Sequence, residues 1–151
     1  MSARDILSIL AAGVGSVGVG ILYHIRGKKL LLATMSGVVG WAVYHVAGLW
    51  IASESVCYLF SAAAVTAYSE IFARVEKSPT TTFLAPGIIP LVPGGGLYYS
   101  MNYAMKEEWD LFADMALYTL ELAAFIAIGI IVVTSIARLL TADRHEKKKT
   151  A

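Results

Sequence analysis

Three prolines and a glycine triplet crowd into Pro86-Gly87-Ile88-Ile89-Pro90-Leu91-Val92-Pro93-Gly94-Gly95-Gly96-Leu97-Tyr98-Tyr99. Pro86, Pro90 and Pro93 follow at intervals of four and three, so in a helix they share one face. Each lacks an amide hydrogen, which in helical geometry leaves the carbonyls of Thr82, Pro86 and Ile89 without their usual donors. Gly94, Gly95 and Gly96 then permit a sharp break with no side-chain bulk. A helix restarting after Gly96 would aim free amide hydrogens at a carboxylate. Carbonyls freed before the break could receive an ammonium group. A zwitterionic amino acid carries both ends, so reversible binding of such a molecule is the chemistry this segment predicts. Its candidate binding residues are Pro86, Pro90, Pro93, Gly94, Gly95, Gly96, Tyr98 and Tyr99. A simple proline kink is the plainer alternative. A phosphate-binding loop is excluded, because neither Lys-Ser nor Lys-Thr follows the glycines and no alternating strand pattern frames them.

The second chemistry is proton transfer. Glu121 lies in a long apolar run, one helical turn from Tyr118 and two from Asp114, making a polar stripe. An acid inside a membrane helix is expensive and often functional. Glu121 is the leading candidate for a coupling proton; a static helix–helix hydrogen bond is the competing account. His45 is a second proton-relay candidate, set against a neutral packing role. Glu70 precedes Arg74 by four residues, the spacing of a helical ion pair, and Glu54 falls in a short polar link where solvation explains it. The lone cysteine, Cys57, sits in apolar sequence and reads as a packing residue. His24, His45 and His145 are scattered without metal-ligand spacing, so no metal and no cofactor are expected.

These residues must be held by elements that the composition narrows sharply. The chain has 151 residues, 58% of them hydrophobic and only 15% charged, with a mean hydropathy of +0.68. Soluble domains carry roughly 25% charge, and a fold this small buries only roughly 68–70% of its unfolded surface. A soluble enzyme, a nucleic-acid binder and a disordered chain all fit poorly. The fold class predicted is an all-α integral membrane protein with five spans, the fourth interrupted by proline and glycine. The spans run about Ile6 to Ile25, Leu30 to Trp50, Val56 to Val75, Thr80 to Tyr103 and Leu111 to Leu140. Residues 1–143 form the five-span unit and 144–151 a short basic tail. Arg26, Lys28 and Lys29 follow the first span where a cleavage site would need small residues, which predicts a retained span rather than a removable signal.

With the N-terminus outside, the inner segments hold Arg26, Lys28, Lys29, Arg74, Lys77, Arg138, Arg144, Lys147, Lys148 and Lys149, and the outer ones only Arg4 and Lys106. Positive charge accumulates on the cytoplasmic side, so the C-terminus is placed in the cytoplasm. Trp50, Tyr58, Trp109 and Phe112 fall near the outer boundary, while Trp41 and Tyr44 lie deeper and need a packing role or a polar neighbour. Small residues line span one (Ala11, Gly15, Gly18; Ser16, Gly20) and span two (Ala33, Ser36, Gly37, Gly40), allowing close helix approach within the chain or with a second subunit.

The run Pro86-Gly87-Ile88-Ile89-Pro90-Leu91-Val92-Pro93-Gly94, with Gly96 and Tyr98 after it, resembles the small, C-terminal-type module of the bacterial threonine/serine exporter family. The resemblance extends over nearly the whole chain except the basic tail. It implies an inner-membrane exporter in which this module works beside a larger five-span partner bearing a soluble N-terminal region, with self-association as another possibility. It lends support to Pro86, Pro90, Pro93 and Gly94 as functional positions. Some split members of the family are associated with succinate-like dicarboxylates, which leaves two substrate classes open. The function predicted is a non-enzymatic, proton-coupled secondary transporter subunit exporting threonine and serine. Dicarboxylate export and a non-transporting scaffold role are the alternatives. The scarcity of Lys and Arg within the spans favours zwitterions, and no nucleic-acid partner is expected.

Overall fold

The computed structural model describes the backbone of residues 3–149 and the side chains of residues 6–140. The described backbone is helical throughout: α1 (Ala3–Leu22), α2 (Lys28–Gly48), α3 (Glu54–Val75), α4 (Thr81–Ile88), a 3-10 turn (Ile89–Leu91), α5 (Gly94–Met105) and α6 (Trp109–Lys149). Among the residues whose side chains are described, three helices are long and apolar enough to cross a membrane, namely α2, α3 and Trp109–Leu140 of α6. Ile6–Leu22 and Thr81–Leu91 are shorter apolar runs, so helix length alone does not establish all five expected crossings. The predicted basic tail, 144–151, lies outside the residues whose side chains are described; the α6 backbone itself continues to Lys149.

Left-handed polar residues rather than glycines follow α1, α3 and α5, namely His24, Lys77 and Glu107. At the end of α1 the Ile25 amide reaches back to the Gly20 carbonyl and the His24 amide to that of Ile21, both at 2.9 Å. His24 takes a left-handed φ of 56°, closing a Schellman motif. Glu107 repeats the device after α5, with φ 60° and the Glu108 amide 3.0 Å from the Tyr103 carbonyl. Carbonyls that would otherwise be bare at a helix end are satisfied locally.

Side-chain spacing then fixes the packing. α1 buries Ala12, Gly13, Ser16 and Gly20 while Leu7, Leu10, Val14 and Ile21 stay exposed on its other side. That small face lets α1 lie close against α2: a Cβ on Gly37 would collide with the Ser16 hydroxyl. α2 runs antiparallel to α3, with Gly40 beside Ser61 and Val65, and Ala33 clustered with Ala73. α3 and α6 run parallel, since Ser55 meets Glu121, Leu59 meets Gly129, and Arg74 reaches Ala137. α4 lies among α1, α2 and α3, whereas α5 packs on α6. The core joins Tyr58, Ala62 and Val65 of α3, Leu91 of the 3-10 turn, and Leu122 and Ile126 of α6. Leu91 therefore stands in the middle of the bundle, just before the chain leaves α4's company for α6.

At the opposite end from Glu54, the predicted Glu70–Arg74 pair forms at 3.4 Å. Arg74 also donates to the Ala137 carbonyl at 3.0 Å, and Thr80 to Glu70 at 3.3 Å, tying the ends of α3 and α6 to the start of α4.

Candidate functional site

The interrupted segment does not break where its first proline stands. Pro86 is buried inside α4, which continues to Ile88. The carbonyl expected to be orphaned by Pro90, that of Pro86, accepts a hydrogen bond from the Ser16 hydroxyl of α1 at 2.8 Å. The chain tightens into the 3-10 turn around Pro90 and departs from helix at Val92 (ψ 130°) and Pro93 (ψ 64°). Ile89, the other carbonyl predicted to lose its donor, accepts from the Val92 amide at 3.2 Å. Trp41 of α2 donates its indole Nε1–H to the Pro90 carbonyl at 3.2 Å. Ser36 lies with its hydroxyl 2.8 Å from the Phe83 carbonyl. The Ser16 hydroxyl and the Trp41 indole, from α1 and α2, thus dock the broken helix by its backbone, while Ser36 shares its one hydrogen between the Phe83 carbonyl and that of Ala33 in its own helix. Ser16→Ala should lower the thermal stability of the detergent-solubilised chain by about 1 kcal/mol, the scale of an interhelical hydrogen bond in a membrane protein; an unchanged unfolding midpoint would remove this role.

Past the break, α5 restarts without a side-chain cap. The Gly94 amide turns back to the Val92 carbonyl at 2.7 Å and the Leu97 amide to that of Pro93 at 3.3 Å, while the amides of Gly95 and Gly96 meet no acceptor of the described chain. Space beside Gly94 and Gly95 is open for at least 4 Å. Gly96 has a different purpose: a Cβ there would overlap Thr119 Oγ1, so its bare backbone is what brings α5 onto α6. On the other side of the break, a groove of about 450 Å³ runs between α1 and the turn, lined by Ser8, Ala11, Ala12, Gly15, Val19, Trp41, Ile89 and Pro90. This is within the usual size of a small-ligand site. Tyr98 and Tyr99 stack edge-on at 5.4 Å and are exposed on the outside of α5.

Glu121 is not brought to this break. Thr119 faces Gly96, and at 3.6 residues per turn Glu121 points about 200° away around α6. It receives the Ser55 hydroxyl of α3 at 2.7 Å. Close by, Glu54 accepts from Tyr44 of α2 at 3.1 Å and from Tyr118 of α6. His45 lies 5.6 Å, ring to ring, from both Trp41 and Tyr44, and lines a cavity of about 370 Å³ with Tyr44, Glu54 and Cys57. The two proton-coupling candidates therefore belong to the end of the bundle where α2 stops and α3 starts. The polar neighbours that Trp41 and Tyr44 required are Pro90 and Glu54. Ser16 and Glu54 are the residues that sequence patterns passed over. Ser16 was visible only as a small residue, and Glu54 only as a charge in a link.

The described backbone is all-helical, with long apolar helices, one broken helix and no strand, which is consistent with a helical membrane protein. The family comparison makes the class specific: the family model described as Threonine/Serine exporter, ThrE matches residues 8–136, and the chain belongs to that family. The family is one of transporters, not enzymes. No match is found among curated proteins or among solved structures.

Proposed function

We propose that this chain is the small subunit of a secondary transporter that exports threonine and serine from the bacterial cytoplasm. The observation that carries this reading is the uncapped and exposed start of α5, just past the break that follows buried Leu91. There the backbone beside Gly95 is open, and the Gly95 and Gly96 amides meet no acceptor of the described chain, in a member of the exporter family. These donors suit the substrate carboxylate. The ammonium group faces the Pro90 carbonyl, which has a second lone pair beyond the one the Trp41 indole uses. The groove beside α1 supplies the volume for the side chain. Pro86 acts in this scheme as a docking point for Ser16, and Pro93 and Gly94 shape the turn.

The chain crosses the inner membrane five times, with α1 and the broken α4–α5 unit as the first and fourth crossings and the N-terminus outside. Its partner is a larger five-span subunit of the same family with a soluble N-terminal region. Exposed Gly15 and Gly18 on α1, with nothing near them, and the open groove at the break support a second body there. Glu121, with His45 beside the Glu54 cavity, carries the coupling proton.

Reconstitution of the chain in liposomes, alone and with the larger subunit, tests this through counterflow of labelled serine, threonine and succinate. Serine and threonine counterflow is expected, and succinate alone would transfer the site to dicarboxylates. A complex active only through the larger subunit, with this chain dispensable, would make it a scaffold. Glu121→Gln should abolish the pH dependence of gradient-driven efflux. Its persistence would move coupling to another residue.

A further inference from the structure

Where α2 stops and α3 starts, the cavity of about 370 Å³ has Tyr44, Gly48, Leu49, Ala52, Glu54 and Cys57 in its wall. It lies open at the surface, since Gly48, Leu49, Ala52 and Glu54 are all exposed. Among the described residues no lysine or arginine lines it. Negative potential converges on it from two elements. The carbonyls of Gly48 and Leu49, at the end of α2, meet no donor of the described chain. A helix terminus of this kind carries roughly half an elementary negative charge. From the start of α3 comes the Glu54 carboxylate, held by two phenols: Tyr44 donates to Oε1 at 3.1 Å and Tyr118 of α6 to Oε2. A carboxylate has about four lone-pair sites, so acceptors remain after both phenols are served. Their grip also fixes the side chain, which therefore has less freedom to lose when a ligand arrives.

We propose that this cavity is a second binding site of the chain, a station for a small primary ammonium ion. The ammonium group has three hydrogens to give, to the remaining lone pairs of Glu54 and to the carbonyl end of α2. Bonds of this kind gain from charge on both partners. The volume stands at the small end of ligand sites, and the open mouth lets the rest of the ligand face water. A carboxylate gains nothing here, because Glu54 repels it. Serine would therefore bind by its amino group alone, and ethanolamine, which lacks the carboxylate, would bind more tightly. The central break has the opposite preference, for its unpaired amides suit an anion. The station stands on the geometry of α2, α3 and Glu54. Its use as the point where an exported amino acid leaves rests on the exporter reading, whose topology puts this end at the outer face.

The full chain, solubilised in a nonionic detergent that carries no ammonium group, is titrated with ethanolamine at fixed ionic strength, and saturation-transfer NMR reads the dissociation constant. Glu54→Gln keeps the length and an acceptor for a phenol but removes the charge; it should weaken ethanolamine about tenfold. Ala52→Lys tests the same cavity without touching Glu54. Ala52 is exposed in the irregular link between α2 and α3, so the new ammonium competes from within and should also weaken binding about tenfold. Ala52→Gln, similar in reach but neutral, should stay within about twofold of wild type. The two Ala52 variants decide alone if Glu54→Gln fails to fold. 3-Hydroxypropionate, with no ammonium, should not displace ethanolamine. No ethanolamine binding to the wild-type chain, binding indifferent to Glu54→Gln and Ala52→Lys, or displacement by 3-hydroxypropionate would each overturn the station. Serine that displaces ethanolamine makes the exported amino acid its occupant, and serine that does not leaves free amines as the ligand. If ethanolamine binds as expected to a chain that moves neither serine nor threonine with any partner, the exporter reading falls and the station stands. Serine counterflow by a chain whose ethanolamine binding ignores both substitutions has the opposite meaning.

Discussion

Gly129→Leu is expected to leave no monodisperse protein after solubilisation, and Gly129→Ala to lower the unfolding free energy by about 1–3 kcal/mol, the usual range for overpacking. The reason lies in the α3–α6 seam. A Cβ built on Gly129 would lie 2.7 Å from the Leu59 carbonyl oxygen and 3.2 Å from the Ala63 nitrogen, and both are backbone atoms that cannot swing away. Elsewhere a tight glycine faces a side-chain tip, as Gly20 faces Leu30, and a rotamer change relieves the contact. At Gly129 the two helices themselves must part. Their parting would also disturb the core around Ala62, Leu122 and Ile126 and the Ser55–Glu121 bond. Thermal unfolding in detergent, with size-exclusion profiles, measures both variants; a stability within 0.5 kcal/mol of wild type for the alanine, about the spread of neutral substitutions, would mean that the helices can part cheaply.

Gly129 also shows what a sequence pattern can hold. Close approach was legible in α1 and α2, where Ser16, Gly37 and Gly40 recur at helical spacing and do pack inward. In α6 a lone glycine amid isoleucines and valines gives no such period, and only the path of α3 across it explains its presence. The helices themselves were legible, because apolar runs separated by polar turns leave few alternatives in a chain with a mean hydropathy of +0.68. The helix ends fall a few residues from the expected ones where local turns intervene, as at His24.

The broken segment was legible as broken, but not in its details. Proline spacing marks which carbonyls lose a helical donor, and it says nothing about donors from elsewhere. Ser16, seventy residues upstream, supplies one to Pro86, and Trp41 another to Pro90. The interruption accordingly falls at Val92–Pro93 rather than along the whole proline face. Glu54 was illegible for a related reason. Its partners sit on two other helices, and the meeting of three helix ends leaves no trace in the spacing along any one of them.

Gly95→Asp should reduce serine and threonine counterflow about tenfold or more while leaving helicity and oligomeric state unchanged. The backbone beside Gly95 is open, so the new side chain has room. An acid in the first turn of a helix is favourable by about 0.3–1 kcal/mol, so α5 itself gains slightly. What changes is the anion site. The tethered carboxylate reaches the amides of the first turn at an effective concentration in the millimolar range or above, and substrate must compete with it. Gly95→Ala fills the same space without charge and should keep most of the activity, which separates occupancy from bulk. Gly96 offers no such test, since a Cβ there meets Thr119 and would push α5 from α6. Full counterflow in Gly95→Asp would mean that the substrate carboxylate is recognised somewhere other than the start of α5. Equal losses in the aspartate and alanine variants would point to the shape of the turn instead of its unpaired amides.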